Sequence, residues 1–148
     1  KILLIEDDRN WQRDMRFQLE KEGYETDICD DGEEGLYYMK ERSHDLVILD
    51  RMLPSMDGIT VLQEARKNHV STPVIMLTAL GELQDKLTGL KGGADDYMVK
   101  PAPLPLLEAH VEAVIRRTAE KRNPVESVGA YPLIMKEERF ILQTRFSR

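Results

Sequence analysis

The sequence predicts an α/β fold, a five-stranded parallel sheet with helices on both faces. Short apolar segments alternate with amphipathic segments along the chain, as strands and helices do in domains of this class. Three of the apolar segments are continuous, which is typical of strands buried on both faces of a parallel sheet. Right-handed crossovers leave few topologies, and the flavodoxin-like doubly wound order 2-1-3-4-5 is the commonest for this size.

The five predicted strands are short apolar runs, of which the first, third and fourth are continuous and the second and fifth are weaker. In chain order they are residues 2–5, 24–29, 45–49, 74–77 and 97–99. Cys29 is the only cysteine and falls in the second strand. We expect it to be a small core residue in a reducing compartment and not a redox centre.

The five predicted helices are the amphipathic segments between and after these strands. In chain order they are residues 11–22, 33–42, 58–68, 82–91 and 104–117. Gly23 closes the first helix. Trp11, Met15 and Leu19 repeat every four residues in that helix and are expected in the core. The last helix carries a similar stripe, formed by Leu104, Leu107, Val111, Val114 and Ile115.

Composition and charge argue against a membrane protein and against nucleic-acid binding by the acidic part of the chain. Hydrophobic residues make up 41% and charged residues 32% of the chain, and no apolar stretch approaches the ~20 residues of a membrane span. We therefore expect a cytoplasmic protein without membrane contact. Residues 1–115 carry a net charge of −10 and residues 116–148 one of +4. An acidic body repels nucleic acid, so any DNA contact should come from the C-terminal side, unless that basic end is only a solvated tail.

Polar residues follow four of the predicted strands. Glu6 and Asp7 follow the first, Asp50 the third, Thr78 the fourth and Lys100 the fifth. Because the carboxyl ends of parallel strands share one edge, we expect these side chains to converge. Each alone has a structural explanation, such as a helix cap or a solvated loop. The occurrence of all of them at one edge of the sheet favours a functional site.

The chemistry of such a site follows from its charges. Two carboxylates ~4 Å apart repel by about 4 kcal/mol at an effective dielectric near 20, so the site should bind a hard cation, Mg²⁺ or Mn²⁺. Asp50 can attack phosphorus as a carboxylate nucleophile and form an aspartyl phosphate. Lys100 can neutralise the phosphoryl oxygens and Thr78 can donate a hydrogen bond to one of them.

Four motifs in this order resemble the receiver domain of bacterial two-component response regulators, specifically the OmpR/PhoB subfamily. They are KILLIEDD from residue 1, LVILDRMLPSMDG from residue 46, PVIMLTA from residue 73 and GADDYMVKP from residue 93. The resemblance covers roughly residues 1–120. It implies that a sensor histidine kinase phosphorylates the domain in a Mg²⁺-dependent reaction.

The resemblance also implies the role of each acidic residue. Asp50 would accept the phosphoryl group. Asp7 and Asp50 would ligate the metal directly, Glu6 through water, and Met52 through its backbone carbonyl. Asp8 lies one place beyond the acidic pair, where we expect a helix-capping or rim residue.

Further roles concern the phosphoryl group and the response to it. Thr78 and Lys100 would bind the phosphoryl oxygens, with help from the Ala79 amide. A cis peptide is expected between Lys100 and Pro101. Thr78 and Tyr97 would form the switch pair that couples the site to the face of the fourth helix, fifth strand and fifth helix. Homodimerisation through that face on phosphorylation is the expected consequence.

The chain departs from the subfamily pattern at three positions. Ala102 stands where an aromatic residue is usual after Lys-Pro, so we expect that loop to be repacked. Leu106 and His110 stand where we would expect Glu and Arg in the ion pairs of the dimer. The remaining charged residues still allow some pairing between subunits; they are Asp95, Asp96, Lys86, Lys91, Glu112 and Arg116. His44 and His69, like His110, are expected to have surface or packing roles.

We divide the chain into a receiver domain, residues 1–121, and residues 122–148. The latter would be a linker plus the opening strands of a truncated winged-helix effector domain, with 130–146 able to form a hairpin. No recognition helix fits before Arg148, so either this sequence is a piece of a longer regulator or the product is shortened.

Three functional classes remain to be compared. The first is a phosphorylation-controlled transcription regulator whose DNA contact belongs to an effector domain that is incomplete in this chain. The alternative is a stand-alone module whose phosphorylated face binds a protein partner. A phosphatase is disfavoured because Met52 stands where such enzymes place an acid/base Asp, so we expect at most slow self-dephosphorylation. Nucleotide and flavin binding are disfavoured because no Gly-rich phosphate loop is present and the first loop is acidic.

Overall fold

The computed structural model describes residues 1–79 and 93–122. The predicted helix at 82–91 and the predicted linker, hairpin and winged-helix start after residue 122 therefore lie outside the described residues. Residues Lys1–Ile115 form one compact unit. None of the described helices is long and apolar enough to span a membrane.

The described residues form five strands and four helices in the predicted alternation. The strands are β1 Ile2–Ile5, β2 Thr26–Cys29, β3 Leu46–Asp50, β4 Val74–Ala79 and β5 Asp96–Lys100. The helices are α1 Arg9–Lys21, α2 Gly32–Lys40, α3 Gly58–Lys67 and the C-terminal helix Leu104–Arg122. The last helix ends five residues beyond its predicted end at residue 117, because the polar residues that follow its apolar stripe are also helical.

All neighbouring strands pair in parallel, in the order β2-β1-β3-β4-β5, which confirms the predicted fold class. The register places Ile5 opposite Leu49, so the residues that follow β1 and those that end β3 lie at the same edge. At the other side, Ala79 lies opposite Lys100. This edge is where the sequence placed the polar residues.

The continuous apolar strands are explained by two core layers, one on each face of the sheet. Leu3 and Ile5 of β1 pack into the layer that contains residues of α2 and α3. Ile2 and Leu4 point the other way, into the layer with residues of α1 and the C-terminal helix. Because successive side chains of a strand alternate between faces, burial of both faces requires every residue of β1 to be apolar.

Aspartates fix the starts of the three first helices. Asp8, Asp31 and Asp57 are the N-cap residues of α1, α2 and α3, and each side chain accepts a hydrogen bond from the amide three residues later, at 3.2, 2.8 and 2.9 Å. Such a cap stabilises a helix by about 1 kcal/mol. The capping role predicted for Asp8 is confirmed.

Two smaller predictions concern residues of the core and its rim. Cys29 is buried, as expected, and burial raises the pKa of its thiol to about 12. The His44 ring is also buried and its Nε2 lies 2.8 Å from Asp27 Oδ2, a packing role. The stripe residues Met15 and Leu19 are fully buried, but Trp11 is only half-buried.

Candidate functional site

Three carboxylates meet at the carboxyl edge of the sheet. Glu6 and Asp7 directly follow β1, and Asp50 is the last residue of β3. One oxygen of each lies within 4.8 Å of one oxygen of the others. Glu6 and Asp50 are buried and Asp7 is exposed. The structure therefore brings together acidic residues that are more than forty positions apart in the chain.

Lys100, the last residue of β5, reaches across this group. Its Nζ donates a hydrogen bond to Glu6 Oε1 at 2.9 Å and lies 3.4 Å from Asp50 Oδ1. In the part of the chain that the structure describes, it is the one lysine or arginine in ion-pair contact with the three carboxylates. The group thus holds more negative than positive charge.

The pKa values of this group reflect that imbalance. Burial raises the pKa of the Glu6 carboxyl to about 7, and the charge of Asp50 adds to the rise, although hydrogen bonds from Lys100 and from the Asp8 amide oppose it. Burial by itself would lower the pKa of Lys100, but its hydrogen bond to Glu6 and the charge of Asp50 outweigh this and raise it. Negative charge on Glu6 is therefore only partly compensated by the protein.

The donor set fits a hard divalent cation. It consists of carboxylate oxygens, which Mg²⁺ and Mn²⁺ prefer. Two of the carboxylates are buried, where an uncompensated negative charge is costly. The exposed position of Asp7 leaves the group open to solvent on one side. The cluster can therefore bind a metal ion, in agreement with the cation site predicted from the sequence.

A buried polar residue of α1 holds the acidic loop in place. The side-chain amide of Gln12 donates a hydrogen bond to the backbone carbonyl of Glu6, and the Asp8 amide donates to Glu6 Oε2 at 3.0 Å. The sequence interpretation missed Gln12. Its signal was a polar residue placed three positions before Met15, on the face that the apolar stripe buries.

The loop after β3 is closed by a glycine. A Cβ at Gly58 would collide with the backbone carbonyl of Asp50 and the backbone of Arg51. The Gly58 amide donates to the Arg51 carbonyl at 2.9 Å, and the Arg51 amide donates to the Leu77 carbonyl at 2.7 Å. The absence of a side chain at residue 58 thus lets the start of α3 approach the end of the strand that carries Asp50.

Of the other predicted site residues, Thr78, Ala79 and Met52 lie at or near the same edge, whereas Tyr97 lies near the start of its strand. Thr78 is buried near the end of β4, and Ala79 is exposed at its last position. Met52 follows Asp50 by two residues, with its side chain exposed. Tyr97 of β5 is buried in the core layer that contains α2 and α3 residues. The Lys100–Pro101 peptide bond is cis, as the resemblance implied.

On the face formed by β5 and the C-terminal helix, acidic residues make contacts within the chain. Asp96, a candidate for pairing between subunits, lies 2.5 Å from His110 Nδ1 within the chain. Asp95 lies 3.4 Å from Arg66 of α3. Leu106 is exposed. Ala102 is buried despite its small side chain, so the loop after Pro101 still packs against the core.

Comparisons with known proteins agree with this geometry. Residues 2–112 match the family model of the response regulator receiver domain. The chain is 41% identical over 121 residues to response regulator ArlR of Staphylococcus saprophyticus. The aligned region covers 82% of this chain and 54% of ArlR. It is 38% identical over 125 residues to transcriptional activator protein PfeR of Pseudomonas aeruginosa. This aligned region covers 84% of this chain and 41% of PfeR.

A solved structure shows the same fold. The receiver domain of Francisella response regulator 1452 matches with a TM-score of 0.75 and 35% identity, over 79% of this chain and 97% of that one. Its near-complete coverage contrasts with the two longer relatives, of which this chain spans about half or less. The similarity therefore concerns the receiver domain itself.

Proposed function

Since the chain belongs to the family of response regulator receiver domains, we propose that Asp50 accepts a phosphoryl group from a sensor histidine kinase in a Mg²⁺-dependent reaction. The observation that carries the proposal is the crowding of three carboxylates within 4.8 Å, with Lys100 bridging two of them. The surplus negative charge of the site suits it to a metal ion. The Lys100 ammonium beside the acceptor carboxylate suits it to a phosphoryl group.

The reaction is a phosphoryl transfer between two nucleophiles. An oxygen of the Asp50 carboxylate forms the new bond to phosphorus, while the bond from phosphorus to the imidazole nitrogen of the kinase phosphohistidine breaks and its electron pair stays on that nitrogen. Lys100 neutralises the phosphoryl oxygens, and Thr78 and the Ala79 amide donate hydrogen bonds to them. Lys100 already lies 3.4 Å from Asp50 and needs little movement.

Mg²⁺ would be held by Asp7 and Asp50, by Glu6 through water and by the backbone carbonyl of Met52, with Mn²⁺ as an alternative. When bound, the ion supplies positive charge to the transferring phosphoryl group. The residues themselves supply the oxygen ligands and the buried setting.

The domain is a phosphoacceptor and not an enzyme in this proposal. Met52 stands two residues after Asp50, where an aspartyl phosphatase carries a proton donor, and its exposed thioether has no proton to give. Hydrolysis of the aspartyl phosphate should therefore be slow. Multiple turnover on phosphate esters would contradict this part of the proposal.

The output would be control of transcription. Thr78 and Tyr97 would pass phosphorylation to the face that includes β5 and the C-terminal helix, and a dimer formed there would act on DNA through an effector domain. The relatives named above include a transcriptional activator, and the matched part of this chain covers 54% of one and 41% of the other. DNA binding also implies a cytoplasmic location.

One observation favours the alternative of a stand-alone interaction module. Asp95 and Asp96 are engaged within the chain, and Leu106 is exposed on the same face. A face with an apolar residue and internally paired acids suits a protein partner better than an ion-paired dimer. Sedimentation of the beryllofluoride-treated protein decides between them: self-association supports the dimer, and a monomer supports the interaction module.

The proposed function is tested by the intact mass of the protein after incubation with acetyl phosphate and Mg²⁺. Wild type should gain one phosphate, which hydroxylamine removes and EDTA prevents. Asp50→Asn should gain none. Asp57→Asn is the matched control, because Asp57 caps α3 a few residues later and Asn can still cap. A phosphate that persists on Asp50→Asn would refute the assignment of the acceptor.

A further inference from the structure

The half-buried Trp11 contacts the lysine of the site. Lys100 Nζ lies 5.8 Å from the centroid of the Trp11 ring, within the distance at which an ammonium is attracted by an aromatic face. Lys100 therefore has three partners: Glu6 and Asp50 on one side of its ammonium, and the indole ring. Trp is the aromatic side chain that attracts a cation most strongly.

Core packing alone does not account for a tryptophan at this position. Met15 and Leu19, the next residues of the same stripe, are fully buried, whereas Trp11 is half-buried. Part of its ring borders a cavity of about 510 Å³. The cavity is also lined by Ala79, which ends β4 next to the strand of Asp50, and by Lys100, which ends β5 one strand further along the sheet. An aliphatic side chain would fill the buried part of the position equally well.

We propose that Trp11 is a positioning residue for phosphoryl transfer, whose indole face holds the Lys100 ammonium over Asp50. The inference rests on the proposed function of Asp50. Lysine has a flexible four-carbon stem, and fixing it costs side-chain entropy. The ring limits the stem to positions near the acceptor before a donor arrives, so that the positive charge is in place when phosphoryl oxygens approach.

The ring also acts after transfer. Once Asp50 is phosphorylated, Lys100 exchanges carboxylate oxygens for phosphoryl oxygens and must stay near the strand ends to do so. Trp11, fixed on α1, gives the ammonium a partner on the cavity side that does not change during this exchange. The contact of Trp11 at this site is with Lys100, so its effect on the reaction passes through the lysine.

The first test compares phosphorylation rates with acetyl phosphate and Mg²⁺, a donor that needs no protein docking. Trp11→Leu, which keeps an apolar side chain but removes the aromatic face, should be about fivefold slower than wild type. Trp11→Phe, which keeps an aromatic face, should stay within about twofold of wild type. Phe17→Leu is the matched control, since Phe17 is an exposed aromatic of the same helix, and its rate should be unchanged.

The second test observes the contact without any phosphate. Trp11 is the only tryptophan of the chain, so its fluorescence reports on this ring alone. Lys100→Met should change the emission of the unphosphorylated protein because it removes the ammonium from the ring. Lys67→Met, at an exposed lysine of α3, should leave the emission unchanged.

The possible outcomes separate the inference from the proposed function. A wild type that takes no phosphate would overturn both. A wild type that is phosphorylated, together with a Trp11→Leu variant of equal rate, would overturn only the role of Trp11. Equal slowing in Trp11→Leu and Trp11→Phe would also overturn it, because this would indicate lost packing. An emission spectrum unaffected by Lys100→Met would show that the contact is not made.

Discussion

The two edges of the sheet treat acidic residues in opposite ways. At the amino edge, Asp27, Asp95 and Asp96 lie near the start of a strand, and each contacts a basic side chain. Asp27 contacts His44 at 2.8 Å, and Asp96 contacts His110 at 2.5 Å. Asp95 contacts Arg66 at 3.4 Å and also accepts a hydrogen bond from the Val74 amide at 2.9 Å. Each of these acids is thus paired with an individual side chain.

At the carboxyl edge the acids outnumber their partners. Among the described residues, Lys100 is the lysine that contacts two of the three crowded carboxylates, those of Glu6 and Asp50. Burial raises the pKa of Glu6 to about 7 in spite of that lysine. This difference distinguishes acidic residues that stabilise the fold from acidic residues that bind a ligand. Acids with individual partners stabilise the native state, whereas crowded acids reduce its stability and gain a function from what they bind.

The largest expected effect is on metal binding. Asp7→Asn should weaken Mg²⁺ binding at least about 100-fold, because loss of a direct ligand should cost no less than loss of a supporting residue. Asp8→Asn is the control: Asp8 is the exposed neighbour, and Asn can still cap α1. Isothermal titration calorimetry measures both. Equal weakening in the two variants would indicate a general charge effect and would remove Asp7 as a ligand.

A smaller effect is expected where charge is balanced. The Arg66 guanidinium donates to the backbone carbonyls of Val70 and Thr72 at 2.8 Å each, and to that of Gly93 at 2.8 Å. Arg66→Met leaves these half-buried groups without their donor and should lower the free energy of unfolding by about 2 kcal/mol.

The control for Arg66 is the neighbouring exposed lysine. Lys67→Met removes only a surface ion pair with Glu64 and should change the free energy of unfolding by less than about 0.5 kcal/mol. Urea unfolding followed by circular dichroism measures both variants. If the two changes were alike, the amino-edge contacts would be surface features and not supports of the fold.

Much of the fold and the meeting of the site residues could be predicted from the sequence. Continuous apolar runs such as Ile2–Ile5 arise only where both faces of a strand are covered. Once the sheet is parallel, the residues after each strand must share one edge. Strand ends moved by only one or two residues, for example from residue 49 to Asp50.

Contacts that depend on loops and on side-chain reach could not be predicted. Arg66 is in the last turn of α3, where a basic residue is ordinary, and nothing local shows that it reaches Gly93. His110 and Asp96 are fourteen residues apart, and the sequence cannot tell a contact within the chain from one between subunits. Trp11 follows the period of a buried stripe, yet it lies in the first turn of α1, where that stripe leaves the core beside Lys100.

The contrast between the two edges is tested most directly by unfolding free energies at pH 8, measured with a chelator and with Mg²⁺. In the chelator, Asp50→Asn should be more stable than wild type by about 1–2 kcal/mol, because it relieves repulsion among crowded carboxylates. Asp95→Asn, at the balanced edge, should be less stable by about 1 kcal/mol. Mg²⁺ should stabilise wild type and Asp95→Asn much more than Asp50→Asn. An Asp50→Asn variant that is less stable than wild type in the chelator would contradict the account.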